Sequence, residues 1–260
     1  MISFIIPVYN KGSILFKTLQ SLIGNLTSQQ ITNYEIIVVN DGSTDNSLEE
    51  TIRFKKFNGS TNKIKIYYYS QNIGKGFALR FGFSKSEGDP IVFLDGDMDI
   101  DTKQVTEALR VFNSKHPDMV IGSKYASQSR TFYPTNRYLY SFILKVVISI
   151  LFHLRVSDTQ VGLKVFRRDL LTQVFPQLIV KRFAVDLELL MVAYMQGFTH
   201  IEEIPVIIRH SSASQSSIDI RAVKNFCIDI VALFYRKNIL NFYKEPKTEN
   251  FLPSMAIGNA

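Results

Sequence analysis

Four carboxylates follow directly on an apolar run in the segment VFLDGDMDID, residues 92–101. Like charges this close raise one another's pKa, so they are stable at the end of a buried strand only where positive charge offsets them. Alternate residues of an extended segment point to the same side, so Asp95, Asp97 and Asp99 can present oxygens to one hard divalent cation. Gly96 lets the backbone come close. Oxygen ligands suit Mg or Mn, so we predict such a metal at these three residues; the alternative is a solvated acidic loop.

Two further polar clusters have residue types that bind nucleotides. In NDGSTDNS, residues 40–47, Asp41 stands at the tip of an apolar run, where a carboxylate can hold a base or ribose edge. Turn formation and helix capping are the alternative explanation of this cluster. In QNIGKG, residues 71–76, Lys75 lacks the Walker spacing, and it is either a counter-charge for a phosphate or a solvated residue at the start of a helix.

The elements that position these clusters alternate along the chain. Runs rich in Ile, Val and Tyr are predicted as strands: SFIIPV, YEIIVVND, KIKIYYYS and DPIVFLDGD. Helical patterns separate or follow them at Ser13 to Leu26, Asp45 to Phe57, Lys75 to Ser86 and Asp101 to Lys115. The alternation predicts an α/β fold with a mostly parallel sheet flanked by helices. Ligands of such sheets bind at the carboxyl ends of the strands, so the clusters and PVYN, residues 7–10, should meet at one edge.

Composition and charge narrow the classes of function. The chain has 260 residues, 46% hydrophobic and 20% charged, as expected for one large domain or one domain with an appendage. The net charge of +7 favours an anionic partner, which is nucleic acid, a phosphorylated small molecule or an anionic membrane surface. Nucleic acid is set aside because the basic residues lack interleaved surface aromatics on a recognisable module. The single cysteine, Cys227, and an N-terminus without a basic n-region indicate a reducing compartment, the cytoplasm.

Six motifs in order carry a resemblance to a known family: PVYN, VVNDGSTDNS, NIGKGFALRFG, LDGDMD, DTQVGLKVF at Asp158 to Phe166 and FAVDLELL at Phe183 to Leu190. Over residues 1–210 the chain resembles family 2 glycosyltransferases of the dolichol-phosphate mannose synthase and polyprenyl-phosphate glucosyltransferase branch. The resemblance implies a GT-A fold, a UDP- or GDP-hexose donor and inverting transfer onto a polyprenyl (dolichyl-type) phosphate. Within this branch, the motif DTQ followed by GLK resembles the glucosyltransferases more than the mannosyltransferases. Two positions depart from the family, because Asp99 stands where the branch commonly has Gln and Lys11 where the family usually has Glu.

The donor is expected at the strand ends. The serine-rich segment RHSSASQSS, residues 209–217, follows the strand-like IPVII, and its arginine can reach the donor diphosphate if the segment closes over the site. An exposed linker is the alternative. The residues expected to bind the donor are Pro7, Tyr9, Asn10, Asp41, Lys75, Asp95, Gly96 and Arg209.

A phosphate acceptor sets its own requirement. A hydroxyl acceptor needs a base, which contributes about 100-fold to 10,000-fold, whereas a lipid phosphate is already anionic and needs cations to place it. The central region has such cations in Lys124, Arg130, Arg137, Lys145 and Lys164. In the branch that the chain resembles, an Arg and a Ser four residues apart contact the acceptor phosphate, a spacing that Arg137 and Ser141 match. The predicted acceptor contacts are Lys124, Arg130, Arg137 and Ser141, and the alternative is a basic solvated face.

Asp186 and Gln160 are predicted to line the same pocket. A carboxylate on the inner face of the helix in FAVDLELL needs a cationic or hydrogen-bonding partner, so Asp186 would orient the donor sugar or a basic residue. Together with Asp97 and Arg137, these two residues are the candidates for catalysis. Two other functions stay open: transfer to a sugar or protein hydroxyl, with Asp186 or Glu188 as an indispensable base, and nucleotide-sugar binding without turnover.

Membrane association is the last expectation. Tyr138 to Val156 is long and apolar, but Lys145 near its centre would cost about 2.5–3.5 kcal/mol in a bilayer. A polar stripe recurs every four positions, at Arg137, Ser141, Lys145, Ser149 and His153. We therefore predict a helix in the bilayer interface with this polar stripe turned to the active site, or else a buried core helix. Residues 221–240, with apolar residues at helical spacing and basic residues around them, are expected to form a second interfacial helix or a subunit contact. The expected domains are residues 1–210, the transferase, and 211–260, a loop, amphipathic helix and tail, in a chain peripheral on the cytoplasmic face of a membrane or cut from a longer membrane protein.

Overall fold

A computed structural model of the chain describes residues 1–59, 62–97, 99–132, 135–209, 220–244 and 257–259, with backbone alone at 135–140, 209 and 220–223. The predicted alternation of strands and helices is confirmed in the first half of the chain. The elements there are β1 (Ile2–Val8), α1 (Gly12–Ser28), β2 (Tyr34–Asp41), α2 (Ser47–Phe57), β3 (Ile64–Tyr69), α3 (Lys75–Ser84), β4 (Ile91–Phe93) and α4 (Lys103–Lys115).

The second half is less regular. Its strands are β5 (Met119–Ser123), β6 (Arg130–Phe132), β7 (Lys164–Phe166), β8 (Ile201–Pro205), β9 (Ile207–Arg209) and β10 (Gly258–Asn259). Its helices are α5 (Thr135–Phe152), α6 (Arg168–Val174) with a 3-10 turn (Phe175–Gln177), α7 (Val185–Met195) and α8 (Ile220–Asn238). The strand-like IPVII divides at Val206, whose N–H donates to Ser129 Oγ at 3.1 Å and whose carbonyl accepts from the Arg130 N–H at 3.0 Å. The chain leaves the main sheet at this point, and β9 pairs with β6 instead.

The main sheet has the strand order β10-β3-β2-β1-β4-β7-β5-β8. The pairs β1–β2, β2–β3, β1–β4 and β5–β8 are parallel, whereas β7 runs antiparallel to both of its neighbours, β4 and β5. Because β7 is reversed, its first residue, Lys164, lies beside Phe93 at the carboxyl end of β4. The mostly parallel α/β sheet flanked by helices agrees with the predicted fold class.

Helices cover both faces of the sheet. Alternate residues of β1 point to opposite faces, so Phe4 and Ile6 pack with Leu15 of α1 while Ile5 packs with Leu79 of α3. Helix α7 packs into the core on the side of Ile5 and Leu79, here called the second core, and nine of its 11 residues are buried. Two of these are the carboxylates Asp186 and Glu188, which burial makes costly unless each has partners.

Helices α5 and α8 pack against each other at the surface. Ile148 and Phe152 of α5 and Ile230 and Leu233 of α8 are buried in the second core. Large apolar side chains on the outer sides are exposed, namely Phe142, Ile143, Val146, Val147 and Ile150 of α5, and Ile228, Val231, Phe234 and Tyr235 of α8. Within the described parts of the chain, no helix combines the length and apolar character needed to cross a bilayer.

Candidate active site

The polar clusters meet in a cavity of about 630 Å³ at the carboxyl edge of the sheet. This central cavity collects residues from motifs far apart in the sequence. Predicted site residues that line it are Pro7, Tyr9, Asp41, Lys75, Asp95, Gly96, Asp97, Gln160 and Asp186. Residues that line it without having been predicted to do so are Val8, Lys11, Asn72, Gly74, Arg182, Phe183, Asn225, Phe226 and Asp229.

Lysine ammonium groups supply the positive charge that the acidic run requires. Lys75 Nζ lies 3.0 Å from Asp95 Oδ1, and Lys11 Nζ lies 3.5 Å from Asp97 Oδ2. At Asp97 the lysine charge offsets the surrounding negative charge only in part. Burial and the neighbouring charges of Asp95 and Asp99 raise the pKa of Asp97 to about 6, while Lys11 acts in the opposite direction. The cavity therefore attracts further positive charge.

The geometry of the acidic run differs from the extended segment that was predicted. Strand β4 ends at Phe93, and Asp97 lies in the turn that follows instead of in an extended segment. Among the residues that the structure describes, no group of three Asp, Glu, His or Cys side chains converges as a metal-binding set. Asp99 lies next to Asp97, with its N–H 3.3 Å from Asp97 Oδ1, and its role as a third metal ligand stays a prediction.

Asp95 and Asp97 form an acidic pair whose carboxylate oxygens are the donor atoms that Mg and Mn ions prefer. Both side chains offer carboxylate oxygens to the same cavity. Such ions are commonly held by one or two carboxylates and complete their coordination with waters and substrate phosphates. The backbone of Gly162 packs closely against the Asp95 carboxylate, since a Cβ atom at position 162 would lie 2.2 Å from Asp95 Oδ2. Glycine at this position leaves the space that the Asp95 carboxylate occupies.

A buried row of alternating charges lies behind the acidic pair. Asp186 contacts Lys164 Nζ through Oδ1 at 2.6 Å and Lys75 Nζ through Oδ2 at 2.9 Å. Lys164 is 1% exposed and also donates to the Val161 carbonyl at 2.6 Å. Burial alone would raise the pKa of Asp186, but the ammonium groups of Lys164 and Lys75 hold it below its ordinary value. Asp186 is therefore an ionised carboxylate with both oxygens engaged, and it fixes Lys75 against Asp95.

Asp41 organises the loop that leads into α3. Its carboxylate accepts hydrogen bonds from Asn72 Nδ2 at 2.9 Å, the Ile73 N–H at 2.8 Å and the Gly74 N–H at 2.9 Å. Burial raises the pKa of Asp41 in spite of these donors. The next residue, Lys75, begins α3, and the Asp41 bonds thereby set where its side chain starts. Contact of Asp41 with a base or ribose stays a prediction.

The PVYN motif is joined to the loop after β2. Asn10 has a left-handed backbone with φ of 51°, and its Oδ1 accepts from the Thr44 N–H at 2.8 Å. The Lys11 N–H donates to Ser47 Oγ at 2.8 Å. Asn10 thus connects the two loops, and it does not belong to the residues lining the central cavity in the described structure.

Glu188, the second acid of α7, faces away from the central cavity. It accepts from the Val180 N–H at 2.9 Å, the Ile179 N–H at 3.1 Å and the Tyr243 hydroxyl at 2.7 Å. Burial raises the pKa of Glu188 above its ordinary value, against the effect of these donors. The bonds hold the segment before α7 and attach the chain after α8 to the core.

A second, smaller cavity lies between α5 and the segment after it, and it shares Gln160 with the central cavity. Two of the predicted acceptor residues line it, Lys124 and Ser141. The Lys124 ammonium is 2.8 Å from Asp158 Oδ2, and Ser141 Oγ is 3.0 Å from the Tyr125 hydroxyl. Lys145 and Ser149 of the polar stripe line it too. Three members of the stripe therefore face this second cavity, whereas His153 is exposed beyond the end of α5, and the orientation of the whole stripe towards the active site stays a prediction.

Other predicted cations lie elsewhere. Arg130 is exposed on β6. Lys164 was expected to help place the acceptor, but its ammonium is buried against Asp186, because β7 runs antiparallel and directs its first residue inward. The side chains of Arg137 and Arg209 are outside the described residues, as are residues 210–217 of the serine-rich segment.

Helix α8 contributes cavity residues for which the sequence carried no motif. Asn225 and Asp229 lie one turn apart on this helix, with Phe226 between them, and all three line the central cavity. The sequence signal was two polar residues at helical spacing in a largely apolar segment, which by itself indicates only a surface helix. Arg182 and Phe183 line the cavity from the segment before α7.

An open, mostly parallel sheet with a cationic and acidic cavity at its carboxyl edge is the GT-A arrangement of glycosyltransferases. The chain belongs to glycosyl transferase family 2, whose sequence model matches residues 3–175. It is 29% identical to a dolichyl-phosphate beta-glucosyltransferase of Saccharomyces cerevisiae over 266 residues, which cover 95% of this chain and 77% of the yeast protein. It is also 29% identical to the Homo sapiens protein of the same name over 206 residues, 74% of this chain and 62% of the human one.

Solved structures support the fold. Glucosyl-3-phosphoglycerate synthase from Mycobacterium tuberculosis, in complex with phosphoglyceric acid, superimposes with a TM-score of 0.69 at 18% identity over 91% of this chain and 79% of that one. The same enzyme in complex with Mn²⁺, UDP-glucose and phosphoglyceric acid gives 0.68 at 17% identity, again over 91% and 79%. A further structure of it contains Mg²⁺ and UDP.

Proposed function

We propose that this enzyme transfers a glucosyl group from UDP-glucose to dolichyl phosphate or a related polyprenyl phosphate, with inversion at the anomeric carbon. The names of the relatives, dolichyl-phosphate beta-glucosyltransferases, support both the sugar and the acceptor. UDP-glucose carries an α-linked sugar, so a β-linked product requires inversion. UDP-glucose is also present in a solved structure with the same fold.

The choice of acceptor rests on one observation, the pairing of both Asp186 carboxylate oxygens with lysine ammonium groups. In an inverting displacement, an acceptor oxygen attacks the anomeric carbon as the bond to the nucleotide breaks, and a hydroxyl acceptor must lose its proton to a base. Asp186 has both oxygens paired with ammonium groups, and Glu188 is bonded to backbone N–H groups and a tyrosine on the far side of α7. Neither is placed to accept a proton from a hydroxyl, which favours an acceptor that is already anionic.

At the donor end, Asp95 and Asp97 would hold Mg or Mn. When bound, the ion supplies positive charge to the diphosphate that leaves the sugar. Lys75 is held at the same place by Asp95 and Asp186. Burial alone would lower its pKa, but the Asp186 and Asp95 carboxylates together raise that pKa above its ordinary value, so it stays a cation. We assign Lys75 to the diphosphate as a fixed positive charge, with Asp41 setting the loop from which it projects.

The second cavity is our proposed site for the acceptor phosphate. Lys124, Ser141 and Lys145 line it, and Gln160 connects it with the central cavity. The Lys124 ammonium keeps its orientation through Asp158, and the Lys145 ammonium lies 4.1 Å from the centre of the Tyr125 ring. Arg137 starts the same polar stripe of α5, so we retain it as an acceptor residue on the strength of its spacing from Ser141.

The outer sides of α5 and α8 are proposed to rest on a membrane surface. Five large apolar residues of α5 are between 40% and 65% exposed, although the polar stripe of the same helix faces the second cavity. An amphipathic helix with this division lies in the bilayer interface. A polyprenyl chain could then stay in the bilayer while its phosphate reaches the second cavity. We propose that the chain acts peripherally on the cytoplasmic face.

A transfer assay tests the proposal. The purified chain is incubated with Mn²⁺, UDP- or GDP-hexoses and a short polyprenyl phosphate, and the anomeric form of the product is determined by NMR. The matched control acceptor is the corresponding polyprenol, which has the same chain and a hydroxyl in place of the phosphate. We expect a β-glucosyl product only when the donor is UDP-glucose and the acceptor is the polyprenyl phosphate. Equal transfer to the polyprenol would contradict the anionic-acceptor assignment, and no transfer to either would contradict the function.

A further inference from the structure

Lys11 lies where local structure disfavours a cation. It is the N-cap residue of α1, and its side chain makes no capping hydrogen bond. Ser, Thr, Asp and Asn are preferred at this position, and the positive end of the helix dipole repels an ammonium group. The first turn of α1 contains no acidic residue that would offset the charge. A partner outside the helix must therefore compensate for this placement.

Two carboxylates outside the helix supply this compensation: Asp45 accepts from the first turn of α1, and Asp97 contacts the ammonium group itself. Lys11 Nζ lies 3.5 Å from Asp97 Oδ2, and the two side chains are 32% and 20% exposed. The backbone that carries Lys11 is fixed, because its N–H donates to Ser47 Oγ at 2.8 Å and the Gly12 N–H donates to Asp45 Oδ2 at 3.0 Å. The ammonium group thus projects into the central cavity from a braced loop.

We propose that Lys11 is a resident counter-ion of Asp97 that competes with the divalent metal and then serves the donor diphosphate. This inference rests on the proposed function, since it takes Asp97 as a metal ligand. A divalent ion at Asp97 brings like charge next to the ammonium group, so Lys11 weakens metal binding while the donor is absent. The diphosphate is attracted by both cations, and its arrival removes the conflict. Metal and nucleotide consequently bind with positive coupling, part of which Lys11 creates.

Binding measurements on the full chain test the inference without turnover. Mn²⁺ affinity is measured by electron paramagnetic resonance without nucleotide, and UDP affinity by calorimetry at saturating Mn²⁺. We expect Lys11→Met to bind Mn²⁺ at least about fivefold more tightly and UDP at least about fivefold more weakly, at the lower end of typical coupling between sites. Lys17→Met removes the same charge from an exposed position of α1 and should change neither affinity. Lys11→Arg should keep the wild-type pattern.

The two opposite changes separate this role from a structural one. A residue that only braced the loop would weaken Mn²⁺ and UDP binding together, and that result in Lys11→Met and in a second variant, Lys11→Gln, would overturn the inference. Unchanged Mn²⁺ affinity in both variants would overturn it as well, while leaving the proposed function intact. If the wild-type chain bound no Mn²⁺ with or without UDP, the metal assignment in the proposed function would fail, and this inference with it.

Discussion

Replacing Asp186 with Asn should destabilise the fold as well as reduce transfer. The carboxylate is 5% exposed, with Lys164 Nζ at 2.6 Å and Lys75 Nζ at 2.9 Å. Lys164 is 1% exposed, and its other hydrogen-bond partner is the Val161 carbonyl, so an amide at position 186 leaves a buried ammonium without the carboxylate that it contacts. Removing one partner of a buried ion pair costs about 3–5 kcal/mol. This is a large part of the roughly 5–15 kcal/mol that stabilises a typical domain.

The double variant shows whether Asp186 and Lys164 act as a unit. In Lys164→Met, Asp186 keeps its contact with the Lys75 ammonium, but Asp95 contacts the same ammonium group. Each single variant leaves a buried charge less well paired, whereas the double variant removes both members of the pair. The double variant should therefore lose less stability than the sum of the single losses, by about 0.5–3 kcal/mol.

Urea unfolding followed by circular dichroism measures these differences, with midpoint and slope compared for each variant. Glu107→Gln breaks the pair with Arg110 on the surface of α4 and should leave the midpoint unchanged. If Asp186→Asn unfolds at the wild-type urea concentration, Asp186 is not needed as the counter-charge of Lys164, and this stability argument is wrong. Additive losses in the double variant would refute the pairing.

Three further outcomes follow from single contacts. Gly162→Ala should weaken Mn²⁺ binding in a titration, because the new Cβ would lie 2.2 Å from Asp95 Oδ2, whereas Gly24→Ala, with open space around it, should not. Tyr243→Phe removes a hydrogen bond to a buried carboxylate and should lower the free energy of unfolding by about 1.5–3 kcal/mol, so an unchanged urea midpoint would contradict the attachment to Glu188. Burial holds the pKa of Glu188 above its unfolded value of about 4.3, so the native state keeps a proton that the unfolded state has lost. The free energy of unfolding should therefore fall as pH rises from that value through the folded pKa. In Glu188→Gln, urea midpoints measured over the same pH range should not show this fall. Parallel curves of midpoint against pH for the wild type and the variant would contradict the prediction.

The order of strands and helices in the first half of the chain could be predicted from sequence because it depends on local periodicity. Side chains of a strand repeat every two residues and those of a helix every 3.6, and both repeats are visible in the sequence. The rule that parallel strands bind ligands at their carboxyl ends then brings Asp41, Asp95 and Asp97 together. These residues do line one cavity. Their charge and their oxygen ligands could likewise be inferred from residue type, whereas the turn that begins after β4 was not predicted.

The partner of each charge was decided by the tertiary structure. Lys164 looked like one of several cations available to an acceptor, and its true neighbour, Asp186, is 22 positions away in sequence. Their contact depends on the insertion of β7 between β4 and β5 in the antiparallel direction, which brings the start of β7 to the edge where β4 ends. A parallel β7 would have placed Lys164 at the opposite edge of the sheet. Sequence periodicity identifies a strand but not its direction or its neighbours, since these are set by packing between segments far apart in the chain.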